Sequence, residues 1–96
     1  MLYMLGQVAL DINDNYKQKY LIKVGLSRKL NQRINTYKSD NPSAIVFDTI
    51  AGVERTERKC HQFLSQNGKW YSGEWYQVSE EVFAKCREEG FSFFPF

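Results

Sequence analysis

The sequence predicts a small α/β (α+β) domain in which a three-stranded antiparallel sheet is flanked by helices. Residues 20–24 are rich in the β-branched and large apolar side chains that strands favour, and Gly25 then permits a close approach of another backbone. Ser27 is a suitable N-cap for a helix that begins at Arg28. A strand that leads through a glycine into a basic helix is therefore the centre of the predicted fold.

The helix after this strand has one apolar face. Its apolar residues, Leu26, Leu30, Ile34 and Tyr37, follow one another at the spacings of a helix, and Arg33 lies at the margin of their face. An arginine in this position can pack its aliphatic stem on the protein while presenting its guanidinium group to whatever lies over the end of the strand.

Two further strands complete the predicted sheet. Residues 2–10 form the first strand, and the Asx-rich segment 11–15 is a turn that joins it to the central strand at about Lys19, which predicts an antiparallel hairpin. Pro42 ends the basic helix, because the residue before a proline disfavours helix. Residues 43–50 alternate well enough to form a third strand in the same sheet.

A second helix is predicted to begin at Gly52, and one side of it has the residues of a candidate site. Glu54, Glu57 and His61 lie together beside its apolar stripe. A glutamate at such a boundary is usually paired with a lysine or arginine, and a single carboxylate also suffices for Mg²⁺ with waters and a phosphate. His61 is either a histidine at the edge of the core or a donor to a phosphate or to Glu57.

The last third of the chain is predicted to contain an aromatic loop, a helix and a tail. Residues 68–76 hold four aromatic residues and two glycines, and we interpret them as a loop whose Trp75 packs in the core, although its aromatic side chains could also stack on bases. Glu74 would then cap a helix or pair with Arg33. Ser79 and Gly90 bound a helix over 80–89. The aromatic tail, residues 91–96, either folds back on the core or docks on a partner.

Composition limits the class of protein. Ninety-six residues, 43% of them hydrophobic, suffice for a single domain over residues 1–96 with one core. The sequence has no apolar run long enough for a membrane span and no recognisable leader, so we expect a cytoplasmic protein with no membrane partner. Cys60 and Cys86 are then expected to be free buried thiols, and with His61 they are too few and too scattered for a convincing zinc site.

Positive charge is concentrated in the first half of the chain. The formal net charge is +2, but the segment from residue 17 to residue 38 has seven basic residues and no acidic one. Such a run predicts a surface that attracts a polyanion, the alternative being a solvated helix face whose charges pair with acids elsewhere. The basic residues of the run are Lys17, Lys19, Lys23, Arg28, Lys29, Arg33 and Lys38.

Four segments in this order resemble the GIY-YIG nuclease superfamily. Met1-Leu2-Tyr3 occupies the place of its first signature tripeptide, and Lys23-Val24-Gly25 that of the second, with Arg33 eight residues beyond the glycine. Glu57-Arg-Lys-Cys-His61 and Gly73-Glu-Trp-Tyr76 resemble motifs of a branch common in phage and bacterial genomes. The resemblance to this branch implies that Glu74 and the aromatic residue beside it lie near the active site. The resemblance extends to about residue 79, and Lys23 stands where most of the superfamily has a tyrosine.

The resemblance implies a metal-dependent endonuclease that hydrolyses phosphodiester bonds, in DNA rather than RNA. Tyr3 would activate the attacking water, Glu57 would hold Mg²⁺ or Mn²⁺, and Arg33 would neutralise the phosphate. Lys23 would bind the phosphate or serve as a base. His61 would donate a hydrogen bond to the phosphate or to Glu57. The rival hypothesis is an inactive nuclease-like module that binds nucleic acid or a protein partner.

Other basic residues are expected to contact nucleic acid outside the reacting centre: Arg28, Lys29, Lys38 and Arg58. Because the sequence shows no separate DNA-binding domain, a homodimer or a protein partner is expected to supply specificity, unless the structure of the substrate does so.

Overall fold

In a computed structural model of the chain, which describes residues 1–40 and 42–96, a mixed α+β fold is built on a five-stranded antiparallel sheet. The strands are β1 (Leu2–Asp11), β2 (Lys17–Leu26), β3 (Ile45–Ile50), β4 (Gly68–Ser72) and β5 (Trp75–Val78). The helices are α1 (Leu30–Asp40), α2 (Glu54–Asn67) and α3 (Glu80–Glu89). The strands lie in the order β3-β1-β2-β5-β4.

The α+β class is confirmed, but the prediction of three strands is wrong. Residues 68–76, interpreted as a loop, form most of the hairpin β4–β5, and β5 pairs with β2. Their aromatic side chains favour extended backbone, and Gly73, at a φ of 55°, provides the left-handed conformation that the tight connection requires. The two glycines that suggested a loop therefore begin the first strand of this hairpin and form its turn.

The predicted hairpin of the first two strands is confirmed and is longer than expected. β1 and β2 pair from Leu2↔Leu26 to Asp11↔Lys17. The Asp11 carboxylate accepts a hydrogen bond of 3.0 Å from the backbone N–H of Asn13, and the short 3₁₀ turn that follows ends at Asn15 in the left-handed region. These are the turn properties for which Asx residues are selected.

Helix α1 begins two residues later than predicted, because Ser27, which follows β2, is still paired with the backbone of Met1. The backbone N–H of Ser27 donates to the carbonyl of Met1, and the Met1 amino group donates to the carbonyl of Ser27, both at 3.0 Å. The Ser27 hydroxyl accepts from the N–H of Lys29 at 3.1 Å and so stabilises a bend ahead of the helix. Helix α1 therefore starts only at Leu30.

Other boundaries are close to the prediction. β3 begins at Ile45 and pairs with β1, and α2 begins at Glu54 rather than at Gly52. The cap of α3 is confirmed, since the Ser79 hydroxyl accepts from the N–H of Val82 at 3.1 Å. Gly90, at a φ of 59°, ends this helix as expected.

One face of the sheet packs against α2 and α3 and forms the core. Alternate residues of β1 and β2 point to this face, and with both cysteines, free and buried as expected, they form one cluster. Phe91 and Phe94 join it, so the tail folds back on the core, whereas Phe96 remains 56% exposed. The buried residues of the cluster are Leu2, Met4, Ile22, Val24, Cys60, Leu64, Val78, Phe83, Cys86, Phe91 and Phe94.

The opposite face of the sheet, called the second face below, has the remaining buried side chains of β1 and β2. Tyr3, Leu5, Leu21 and Lys23 point to it, and each is at most 4% exposed. Tyr37 of α1 packs against this face beside Tyr3 and Lys23.

Among the described residues, none of the helices has both the length and the apolar character that crossing a membrane requires.

Candidate active site on the second face of the sheet

Tyr3 occupies the second face because its neighbour on β2 has no side chain. Tyr3 pairs with Gly25, and a Cβ atom added to that glycine would overlap the phenol ring. The ring therefore lies directly against the backbone of β2 and is fully buried. Gly25, which suggested a close approach of another backbone, instead allows an aromatic ring to lie against the backbone of β2.

Helix α1 brings two more side chains to Tyr3. Arg33 and Tyr37 are four residues apart and so project from the same side of the helix. The ring centroids of Tyr3 and Tyr37 are 6.2 Å apart, and the Cζ atom of Arg33 is 5.6 Å from the Tyr37 centroid. The guanidinium group also lies near the Tyr3 hydroxyl, and this neighbour is the main cause that raises the pKa of Arg33. Arg33 remains exposed to solvent and can accept a ligand.

Lys23 is a buried cation beneath these rings. It is 4% exposed, and its Nζ atom lies 4.4 Å from the ring centroid of Tyr37 and 5.9 Å from that of Trp75. A buried ammonium group must be compensated, and here the faces of two aromatic rings and the hydroxyl of Tyr37 surround it.

The environments of the two tyrosines move their pKa values in opposite directions. Burial raises the pKa of Tyr3 above its ordinary value. Burial acts in the same direction on Tyr37, but hydrogen bonding and the positive charge of Lys23 outweigh it, so that the pKa of Tyr37 lies below its ordinary value. Tyr37 is therefore the tyrosine that loses its proton more readily.

A second group of side chains lies beside the first. The ligand atoms of Glu57, His61 and Glu74 all lie within 4.8 Å of one another. The Nε2 atom of His61 donates to the carbonyl of Val24 at 2.7 Å and is 3.8 Å from the Oε2 atom of Glu74. Since a carbonyl oxygen only accepts hydrogen bonds, Nε2 bears the proton. His61 therefore anchors α2 to β2, and this nitrogen is not free to coordinate a metal.

The two carboxylates of this group fit a hard divalent cation. Glu57 is half-buried on the first turn of α2, and Glu74 lies in the β4–β5 turn. The Oε2 atom of Glu74 is buried and has no hydrogen-bond partner among the described residues. A buried carboxylate oxygen without a partner needs a compensating group, and Mg²⁺ and Mn²⁺ prefer oxygen ligands. Glu57 and Glu74 are thus the residues that could hold such an ion.

Three consecutive residues of β2 connect the two groups. Lys23 contacts Tyr37, the carbonyl of Val24 accepts from His61, and Gly25 lies beneath Tyr3. The pKa of Arg33 is raised first by its contact with Tyr3 and further by the charges of Tyr37 and Glu74. The tyrosine group and the carboxylate group therefore form one site around the end of β2.

The structure brings together most of the residues that the sequence indicated. Tyr3, Lys23 and Arg33 meet in the first group, and Glu57 and His61 meet in the second. Glu54 does not join them, because it is exposed one turn earlier on α2. Glu74, for which the resemblance implied a place near the active site and the residues alone a helix cap or a partner of Arg33, lies beside His61.

Sequence reasoning missed Tyr37 as a site residue. It was assigned to the apolar face of α1, and the observation that could have identified it is its spacing of four residues from Arg33. That spacing places the two side chains on one side of the helix, over the same strand end.

Two of the four basic residues expected outside the centre line a cleft beside it. A cavity of about 410 Å³ is lined by Arg28, Lys29 and Arg33 with three polar residues, Ser27, Gln32 and Thr36. Lys38, in the last turn of α1, and Arg58, on α2, are exposed but do not line this cleft. The cleft leads from the surface to the guanidinium group of the site.

The chain matches one family model, that of the T5orf172 domain, over residues 2–90. Neither a curated protein nor a solved structure matches the chain.

Proposed function

The chain belongs to the T5orf172 domain family, and on this premise we propose that it is a metal-dependent endonuclease of the GIY-YIG type that hydrolyses phosphodiester bonds, in DNA rather than RNA. T5orf172 domains occur in phage and bacterial proteins often linked to homing endonucleases, and they are associated with nuclease-like and DNA-binding functions. The observation that carries the proposal is the junction at Lys23-Val24-Gly25, where a tyrosine–arginine group meets two carboxylates.

In this proposal the basic side chains bind the scissile phosphate. The cleft of Arg28 and Lys29 attracts the strand, and Arg33 contacts the phosphate with two or more N–H groups. A guanidinium group held at a fixed place also stabilises the negative charge that develops on the phosphate oxygens. The contact with Tyr3 orients the guanidinium group of Arg33 before the substrate binds.

Tyr37 is the side chain best suited to accept a proton from the attacking water. Its lowered pKa makes the phenolate accessible at a lower pH, whereas the buried Tyr3 holds its proton. Lys23 supports this role by stabilising the negative oxygen of Tyr37. Tyr3, first expected to be the base, then positions both Tyr37 and Arg33.

A divalent cation between Glu57 and Glu74 would supply a Lewis acid at the phosphate. Glu57 offers its carboxylate from the helix that His61 ties to β2, and Glu74 offers the buried oxygen that lacks a partner among the described residues. His61 is therefore a positioning residue, and its Nε2–H stays on the carbonyl of Val24.

Paired variants on α2 test the proposal. Purified protein is assayed with Mg²⁺ or Mn²⁺ on linear, branched and single-stranded DNA and RNA, and Mn²⁺ binding is measured separately by electron paramagnetic resonance. Glu57→Gln should lose both cleavage and Mn²⁺ binding, because a neutral amide does not hold a hard cation among waters. Glu54→Gln removes the same charge from an exposed site outside the carboxylate pair and should behave as wild type.

Two outcomes would contradict the assignment. Wild-type protein that cleaves none of these substrates would exclude the nuclease and favour the adaptor, a module that binds nucleic acid or a protein without cutting. Equal loss of cleavage in Glu54→Gln and Glu57→Gln would show that the effect comes from the charge of α2 and not from a ligand.

A further inference from the structure

We propose that a cavity on the second face, about four residues along β1 from Tyr3, receives an unstacked base of the bound strand, so that the substrate has a single-stranded or opened segment near the cut. The cavity has a volume of about 320 Å³. Its lining residues are Gln7, Ala9, Leu21, Tyr71, Ser72 and Trp75. The inference rests on the proposed function in one respect, namely that the bound molecule is a nucleic-acid strand.

The register of the sheet places this cavity on the same face as Tyr3 and Lys23 of the candidate active site. Tyr3 and Gln7 are four residues apart on β1, an even spacing, so both side chains point to the second face. Gln7 pairs with Leu21, and Leu21 pairs with Gln77 on β5. A strand rises about 3.3 Å per residue, so the cavity lies roughly 13 Å from Tyr3, about four stacked nucleotides at B-form spacing.

The lining has the chemistry that a base requires. Tyr71 is 44% exposed and provides a ring on which a base can stack, and Leu21, 4% exposed, forms an apolar floor. Trp75, which the sequence assigned to the core, is only half-buried and lies outside the core cluster. Its ring is therefore available to a ligand.

Polar groups at the edge of the cavity can contact the edge of a base. The side-chain amide of Gln7 donates to the Ser43 hydroxyl at 3.1 Å, which leaves its oxygen as an acceptor. Gln77 is not one of the lining residues, but it pairs with Leu21, and its Oε1 atom is buried without a hydrogen-bond partner among the described residues. A buried amide oxygen in this state needs a donor, and the exocyclic amino group of a base in the cavity can supply one once the Gln77 side chain turns toward it.

Positive charge accompanies the aromatic rings. The Nζ atom of Lys19 lies 5.9 Å from the ring centroid of Tyr71, although its charge is shared with Asp11 at 2.7 Å. Lys69, exposed on β4, pairs with Gln77 in the same row of the sheet. Aromatic rings with neighbouring cations are the combination by which proteins bind single-stranded nucleic acid.

One residue lies between the cavity and the active site. Trp75 lines the cavity and pairs with Lys23, whose Nζ atom lies 5.9 Å from its ring. A strand whose phosphate sits at Arg33 thus passes over Trp75 before it reaches Tyr71. Bases stacked inside an intact duplex cannot enter such a cavity, so the strand must be open there.

The test measures binding in EDTA, where no metal-dependent cleavage occurs. A short single-stranded DNA with one 2-aminopurine is titrated with the protein, and its affinity and fluorescence are compared with those of the matching duplex. Stacking on Tyr71 should quench the fluorescence of the wild-type complex. Tyr71→Ala should lose the quenching and roughly 5- to 100-fold in affinity for the single strand, with Tyr71→Phe close to wild type.

Two features distinguish stacking from a general loss of binding. The dependence of affinity on salt should be the same in Tyr71→Ala as in wild type, because no phosphate contact is removed. Tyr16→Ala is the matched control, since Tyr16 is a 65% exposed tyrosine in the β1–β2 turn and outside the cavity. It should bind as wild type does.

Equal single-strand affinity of Tyr71→Ala and wild type, or equal losses in Tyr71→Ala and Tyr16→Ala, would overturn the inference. Failure of the base site and failure of the nuclease proposal would give different results. Duplex cleavage that is unaffected by Tyr71→Ala together with no Tyr71-dependent binding would leave the nuclease and remove the base site. Tyr71-dependent binding of single strands, with no cleavage in the presence of Mg²⁺ or Mn²⁺, would support the base site and exclude the nuclease.

Discussion

The phenol ring of Tyr3 lies across Gly25, and this contact determines where the rest of the site can be. Any side chain at residue 25 would occupy the space of the ring. Tyr3 in turn contacts Arg33 and packs against Tyr37. The glycine therefore acts on the guanidinium group of Arg33 through the aromatic ring above it.

Gly25→Ala should displace Tyr3, with a loss of about 1–3 kcal/mol in the free energy of unfolding and of most cleavage activity. Urea denaturation and cleavage assays measure the two effects. Tyr3→Ala removes the clash, so the double variant should lose less stability than the sum of the two single variants. Strict additivity in this cycle would show that the two residues are not coupled in solution.

Lys23→Met should shift the pH dependence of cleavage. Lys23 contributes most to lowering the pKa of Tyr37, and without it the raising effect of burial is opposed only by the hydrogen bond with Tyr3 and the charge of Arg33. A general base works when it is deprotonated, so the rise in rate with pH should move to higher pH in the variant. Lys19→Met, which removes a cation of the same strand outside the site, should keep the wild-type profile. An identical profile in Lys23→Met would exclude Tyr37 as the proton acceptor.

Arg28→Ala with Lys29→Ala should weaken nucleic-acid binding without changing sequence preference. Both residues line the cleft at the start of α1, and phosphate contacts have no sequence information. The slope of log affinity against log salt concentration should fall by about 2, roughly one for each cation that the substitutions remove from a phosphate. Lys85→Ala on α3 is the control, because Lys85 is paired with Glu89 at 3.8 Å and lies outside the cleft. An unchanged slope in the double variant would mean that the cleft does not touch phosphates.

The tail should stabilise the fold through some of its phenylalanines and not through others. Phe94 is 5% exposed, whereas Phe96 is 56% exposed. Phe94→Ala should lower the free energy of unfolding by about 3–5 kcal/mol and the melting temperature by more than about 10 °C. Phe96→Ala should change the melting temperature by only a few degrees. Similar melting temperatures for the two variants would contradict the packing of Phe94 in the core.

Local pattern was sufficient for the elements whose signals are local. The Asx turn after β1, the cap at Ser79 and the glycine that ends α3 were all predicted, because each depends on backbone preferences of a few neighbouring residues. The flank of α2 with Glu57 and His61 was also predictable, since helical spacing alone brings them together. The β4–β5 hairpin was not, because its aromatic residues and glycines suit a loop equally well until β2 offers a pairing edge.

Sequence patterns were enough to predict a small α+β domain, its basic helix and most of the residue types of the candidate site. Tertiary contacts were needed to bring Tyr37 against Tyr3 and Glu74 beside His61, and they leave Trp75 outside the core, where it lines a cavity. Each of these contacts joins residues from different elements. Their positions depend on the order and register of five strands, a property of the assembled sheet that no short segment contains.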